Sequence, residues 1–123
     1  MGEVNKVRKA KDSEKIKNLV DQWVKNKEYL MHDIGVEKLG KVLGINRTYI
    51  SNYINDTYQA NFNTWIHKMR IAEAQRLIME NPQTALGQIA SMTGYTDQAH
   101  FCKQFRVVTG TSPTKWRKEN ADN

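Results

Sequence analysis

The sequence predicts an all-α fold, a seven-helix unit with two helix-turn-helix subdomains joined by a long central helix. Three observations carry that expectation. Apolar residues recur at helical spacing, first in Ile16, Leu19, Val20 and Trp23. No run alternates apolar and polar residues for long enough to require a strand. The second half of the chain also resembles the first at an interval of 50 to 51 residues.

Taken in order, the spacing predicts an amphipathic opening helix over about 13 to 27, with lysines on its other faces. After Asp33-Ile34-Gly35 a short helix should run from Val36 to Leu43, with Leu39 and Leu43 inward and Gly44 as its stop. Asn46 is placed to cap a third helix over Arg47 to Asn55. Its apolar stripe is Tyr49, Ile50, Tyr53 and Ile54, and its opposite face is Thr48, Ser51, Asn52 and Asn55. Asn61 can cap a long helix from Phe62 to Glu80, with Phe62, Trp65, Ile66, Met69, Leu77 and Ile78 inward, ended by Asn81-Pro82.

Thr84 is expected to open a fifth helix bearing Leu86, Ile89 and Ala90, which Gly94 breaks. Thr96 is expected to cap a sixth over Asp97 to Val108, with Phe101 and Phe105 toward the core. Gly110-Thr111-Ser112-Pro113 ends that helix and starts the last, since serine caps well and proline fits the first helical position. The expected domains are a flexible basic leader at 1–12, a first helix-turn-helix subdomain at 13–58 and a linker helix at 59–81. A second subdomain at 82–119 and a frayed tail at 120–123 follow.

The repeat has a mechanism. Leu39 matches Ile89 and Gly44 matches Gly94 at an offset of 50, while Ile50 matches Phe101, Ile54 matches Phe105 and Trp65 matches Trp116 at 51. One residue inserted in the second turn accounts for the step. A small residue, Gly40 or Ala90, lets two helices cross closely, and a glycine permits the tight turn. The second helix of each pair then keeps one apolar face and one free face.

Bulk composition bounds the partners. The 123 residues suit one compact domain; 39% are hydrophobic and 26% charged, the balance of a folded soluble protein. The net charge of +6 favours a polyanionic partner. Its distribution weakens that inference: residues 1–27 hold eight Lys/Arg against four Asp/Glu, residues 28–81 six against six, and residues 82–123 five against three. Any nucleic-acid assignment must therefore rest on geometry. No stretch reaches the roughly 20 apolar residues of a membrane span, and Met1 to Lys17 lacks the apolar core of a signal peptide. The single cysteine, Cys102, cannot form an internal disulfide, which fits a reducing cytoplasm. His32, His67 and His100 have no ligand or nucleophile spacing around them, and no phosphate loop or nucleophile elbow occurs, so neither an enzyme nor a cofactor is expected.

At Leu39 to Gly44, Met69-Arg70-Ile71, Ile89 to Phe101 and Gly110-Thr111-Ser112-Pro113, the chain resembles the DNA-binding domain of AraC/XylS-type transcriptional regulators. The resemblance covers about Ile16 to Lys118. It departs where such proteins usually carry Gly-x-Ser-Phe and this chain has Gln59-Ala60-Asn61-Phe62. A residue other than glycine at a left-handed position would strain that loop. The resemblance implies transcriptional regulation through promoter DNA. It also implies a sensing or dimerising domain upstream in a longer parent chain, with transcription machinery as a further partner.

The candidate base readers on the free faces are Arg47, Thr48, Ser51 and Asn52 in the first half. In the second they are Gln98, Ala99, Cys102 and Lys103, with Arg106 a turn further toward phosphate. Asparagine pairs bidentately with adenine, arginine with guanine, and threonine offers its methyl to thymine. Helix starts at Thr84 and Thr96 add backbone donors for phosphates. Trp23, Trp65 and Trp116 fall on apolar stripes and are assigned to the core, and Arg70 to a buried structural charge with a carboxylate partner. The basic run Lys6 to Lys17 is taken as a solvated leader. Because both motifs run in the same order, the site should be asymmetric, with two major-groove faces about 10 bp apart. A helix-turn-helix scaffold that binds protein is the rival, kept open by the neutral middle third; exposed aromatics for stacking unpaired RNA bases are not evident.

Overall fold

The computed structural model describes the backbone of residues 2–121 and the side chains of residues 13–120. Among the described residues there are seven α-helices and no strand: α1 (Gly2–Lys25), α2 (Val36–Leu43), α3 (Arg47–Tyr58), α4 (Phe62–Glu80), α5 (Leu86–Met92), α6 (Gln98–Thr109) and α7 (Pro113–Ala121). A single 3-10 turn, Glu28–Leu30, follows α1. The chain forms two compact units, Met1–Glu28 with Ile34–Asn63, and Tyr29–Asp33 with Thr64–Asn123.

Several boundaries differ from expectation. Helix α1 begins at Gly2 rather than near residue 13, so the segment expected as a leader is helical in its backbone. The side chains at the start of the basic run, Lys6 to Lys11, lie outside the described residues. Helix α3 continues past Asn55 to Tyr58. Helix α4 has the expected span, and the division between the two units falls within it, after Asn63. Helix α7 runs through Asn120, whose Nδ2 donates to the Trp116 carbonyl at 2.7 Å, so the expected fraying does not begin there.

In the first unit α3 packs against both α1 and α2. Ile16, Val20 and Trp23 of α1, Leu39 of α2 and Ile50 and Ile54 of α3 are buried, as the helical spacing requires. Tyr49 is the exception: it stands 65% exposed. It lies about 100° round the helix from Ile50, at the edge of the stripe, where a side chain clears the neighbouring helices. Gly40 answers to close packing, since a Cβ there would fall 2.7 Å from the Ile45 carbonyl oxygen.

The second unit has a continuous core in which Ile71, Ala74 and Ile78 of α4 meet Leu86, Ile89 and Ala90 of α5 and Phe101 and Phe105 of α6. Tyr95, Phe101, Phe105 and Trp116 follow one another edge to face with ring centroids 5.6 to 5.9 Å apart. Trp23 and Trp65 are buried and Trp116 packs against this core, in line with their assignment to packing.

Arg70 is 5% exposed, and its partners are not the carboxylate expected. Its Nε donates to the Tyr29 carbonyl at 2.8 Å, its Nη2 to the Met31 carbonyl at 2.5 Å, and its guanidinium lies 5.3 Å from the Tyr95 ring centre. Burial lowers its pKa from the usual arginine value. Main-chain oxygens and a ring face therefore satisfy a charge that would otherwise be costly to bury. On the same helix the buried Glu73 is held through both carboxylate oxygens by Arg76, at 2.7 and 3.0 Å.

Candidate nucleic-acid interface

Each unit presents one short polar helix face behind a tight turn, and both turns close with the same bond. The Ile45 amide donates to the Gly40 carbonyl at 2.9 Å, and the Tyr95 amide to the Ala90 carbonyl at 3.0 Å. Gly44 and Gly94 take the positive φ that each turn needs, 69° and 94°. Up to this closure the two halves match at an offset of 50. The inserted residue is Thr96, which follows Tyr95 where Asn46 directly follows Ile45.

That placement explains a correction. Thr96 does not cap α6; Asp97 does, its Oδ1 accepting from the amides of Ala99 at 2.7 Å and His100 at 3.2 Å. Asn46 caps α3 as expected, accepting from the Thr48 amide at 2.8 Å. Thr84 does not cap α5, whose N-cap is Ala85 without a side-chain bond; the Thr84 carbonyl instead accepts from Arg117 Nη1 at 2.6 Å. Ser112 caps α7 as expected, its Oγ accepting from the Lys115 amide at 3.1 Å.

On α3, Arg47, Thr48 and Asn52 are exposed and Ser51 is half-buried. On α6, Gln98, Ala99, Lys103 and Arg106 are exposed and Cys102 is half-buried, packed in part against the core. The pattern repeats position by position: 47 with 98, 48 with 99, 51 with 102 and 52 with 103. Cys102, expected on the open side of its helix, shares with Ser51 the position nearest the protein. A shallow groove lined by Cys102, Lys103, Arg106, Val107 and Ser112 runs beside the second face.

Two features escaped the sequence. Tyr49 stands exposed beside the α3 polar face, and its repeat partner is the exposed His100. Arg47 is also not alone, because its Nη1 lies 2.6 Å from Glu37 Oε1 on α2. An acidic residue ten positions before a basic one carries no signal until the turn between them is known.

Behind α6, His67 Nδ1 lies 2.8 Å from the Tyr95 hydroxyl, and the His100 ring meets both rings edge to face. Burial first, then the neighbouring Arg70 and His100, lowers the His67 pKa to about 4. Burial likewise pushes Tyr95 up to about 12. At neutral pH both groups are therefore uncharged. Among the described residues no group of three or more His, Cys, Asp or Glu side chains could hold a metal ion, and no helix is long and apolar enough to cross a membrane.

Two capped helices, each held against a preceding helix by a closed turn and each free on its polar face, define a tandem helix-turn-helix protein. A family model described as "Helix-turn-helix domain" matches residues 39–119, more than half of the chain. The chain belongs to the AraC-type helix-turn-helix family of transcriptional regulators, a family of DNA-binding proteins rather than enzymes. It is 30% identical over 88 residues to the Msm operon regulatory protein of Streptococcus mutans, covering 72% of this chain and 31% of that protein. It is 23% identical over 106 residues to the "Probable transcription factor PqrA" of Proteus vulgaris, covering 86% of each. The chain thus spans under a third of the Streptococcus relative but most of the Proteus one. Among solved structures, the C-terminal domain of AraT, a response regulator from Geobacillus stearothermophilus, superimposes with a TM-score of 0.78 at 23% identity, covering 86% of this chain and 85% of that one. The DNA-binding domain of AdpA, solved in complex with a target DNA, does so with a TM-score of 0.74 at 20% identity, covering 87% and 93%.

Proposed function

We propose that this chain binds promoter DNA sequence-specifically, each unit laying its recognition helix in a major groove. Arg47, Thr48, Ser51 and Asn52 of α3 read one face, and Gln98, Ala99, Cys102 and Lys103 of α6 the other, with Arg106 on phosphate. The observation that carries the reading is the matched exposure of repeat-equivalent positions on two capped helices. Two structural solutions to the same polar face are hard to explain by packing, which would have needed apolar residues there.

Amide, hydroxyl and guanidinium groups at these positions suit base edges, whereas the modest local charge suits only a few phosphate contacts. Because the two motifs follow one another in the same direction along the chain, the site is asymmetric, its halves about one helical turn, or roughly 10 bp, apart. The length of the Streptococcus relative supports a further sensing or dimerising domain in a parent protein. Transcription machinery is a further partner on the same reading, and the cytoplasm its setting.

Selection from a random duplex library at physiological salt tests this directly. A single asymmetric consensus is expected, with Asn52→Ala and Lys103→Ala each relaxing preference at particular base pairs by about 1–3 kcal/mol. No consensus, and no dependence of duplex binding on salt, would refute DNA reading and favour a protein-binding scaffold.

A further inference from the structure

In both halves, one position of the helix before the reader faces the reader's first residue. In the first unit it is Glu37, the second residue of α2, paired with Arg47, the first of α3, at 2.6 Å. Its repeat equivalent at an offset of 50 is Gly87, the second residue of α5. Over Gly87 lies the side chain of Gln98, the first of α6, its Oε1 3.0 Å from where a Cβ would stand. The position is shared and the chemistry opposite: a carboxylate holds a guanidinium in one half, and a glycine without a side chain leaves room for an amide in the other.

We propose that Glu37 is a positioning residue that sharpens base discrimination by restraining Arg47. The inference rests on Arg47 acting as a base contact. A guanidinium pairs bidentately with a phosphate as readily as with the N7 and O6 edge of guanine. Phosphates flank every base pair, so an unrestrained Arg47 strengthens binding to all sequences and discriminates among none. Glu37 engages Nη1, which tethers that end of the guanidinium and leaves Nε and Nη2 for a partner. Its negative charge offsets that of Arg47 and weakens the pull toward phosphate, while neutral guanine acceptors remain reachable with the ion pair intact. Both side chains are well exposed, at 61% and 70%, so the effect is the few-fold one of a surface pair.

The test uses the 123-residue chain, the duplex selected above and a scrambled duplex of the same composition, titrated at several salt concentrations. Glu37→Gln is expected to tighten binding to the scrambled duplex, to steepen its salt dependence by up to about one ion, and to reduce the ratio of selected to scrambled affinity about three-fold. In an Arg47→Ala background the same substitution should leave that ratio unchanged. An equal effect of Glu37→Gln with and without Arg47 overturns the inference, because general repulsion between Glu37 and DNA would then suffice. An unchanged ratio for Glu37→Gln, alongside lost preference for Arg47→Ala, overturns it while sparing the DNA reading. If Arg47→Ala alters neither duplex, the role of Arg47 falls and the inference with it.

Discussion

Gly94 and Arg70 are packed so closely that a Cβ on the glycine would lie 2.9 Å from both Nε and Cζ of the arginine, and 2.9 Å from the Leu30 carbonyl oxygen. The glycine also holds φ at 94°, where L side chains are strained. Gly94→Ala should therefore cost about 2–3 kcal/mol, by conformational strain and by displacing the guanidinium from its carbonyls. Gly44→Ala, whose Cβ meets nothing within 4 Å, should cost only the strain, about 1 kcal/mol. Thermal unfolding of both variants checks the order; equal losses would mean that Arg70 yields freely.

Replacing Arg70 itself by methionine leaves the Tyr29 and Met31 carbonyls without their donor. A loss of about 2–3 kcal/mol is expected in denaturant unfolding, with sequence preference kept by the folded fraction. Altered base preference in the selected duplex would instead make Arg70 a contact.

Much of this architecture was legible because it is decided locally. Gly44, Asn46 and the Ser112-Pro113 pair announce a stop, a cap and a start through their own backbone and side-chain chemistry, and the structure uses them so. The free faces of α3 and α6 follow from helical phase except at Tyr49 and Cys102. What stayed hidden depends on contacts between distant segments. Arg70 is satisfied by main-chain oxygens, which leave no mark in a sequence. Tyr49 sits at a stripe's edge, where period alone does not separate buried from bare. Thr96 and Asp97 are adjacent and both of a type that caps helices, and the point at which the turn closes leaves the stronger of the two, Asp97, at the helix start.

The pH dependence of stability should carry the signature of His67. Its pKa in the folded chain, about 4, lies below the 6.5 of an unperturbed histidine, so the unfolded chain takes up the proton first. This contribution is complete above about pH 6.5 and declines as the pH falls from there toward 4. After allowance for solvent screening it amounts to roughly 2 kcal/mol. In His67→Gln the slope over that interval should flatten relative to the parent protein; parallel curves would count against the assignment.

Capping by Asp97 and Asn46 should differ in weight. Asp97 serves two amides with a charged oxygen at the positive end of α6, and Asn46 one amide with a neutral oxygen. Asp97→Ala is expected to cost about 1.5 kcal/mol and Asn46→Ala about 1 kcal/mol, read from denaturant midpoints. The reverse order would show that charge at the α6 start is offset elsewhere.

Gln59 ends α3 with φ 52° and ψ 42°, a left-handed conformation partly offset by its Nε2 bond to the Asp56 carbonyl at 2.8 Å. Gln59→Gly should gain a few tenths of a kcal/mol, seen as a higher melting temperature. A drop would show that the side-chain bond outweighs the strain.

The position of Thr96 sets the second half apart from the first. Everything that locks its corner, the glycine, the closing amide and the buried tyrosine, is complete before this residue is reached, and the cap that launches the reader comes after it. Gaining or losing a residue at this point would change only the link between a finished corner and the next helix, since Phe101 and Phe105, both fully buried, keep that helix in phase with the core.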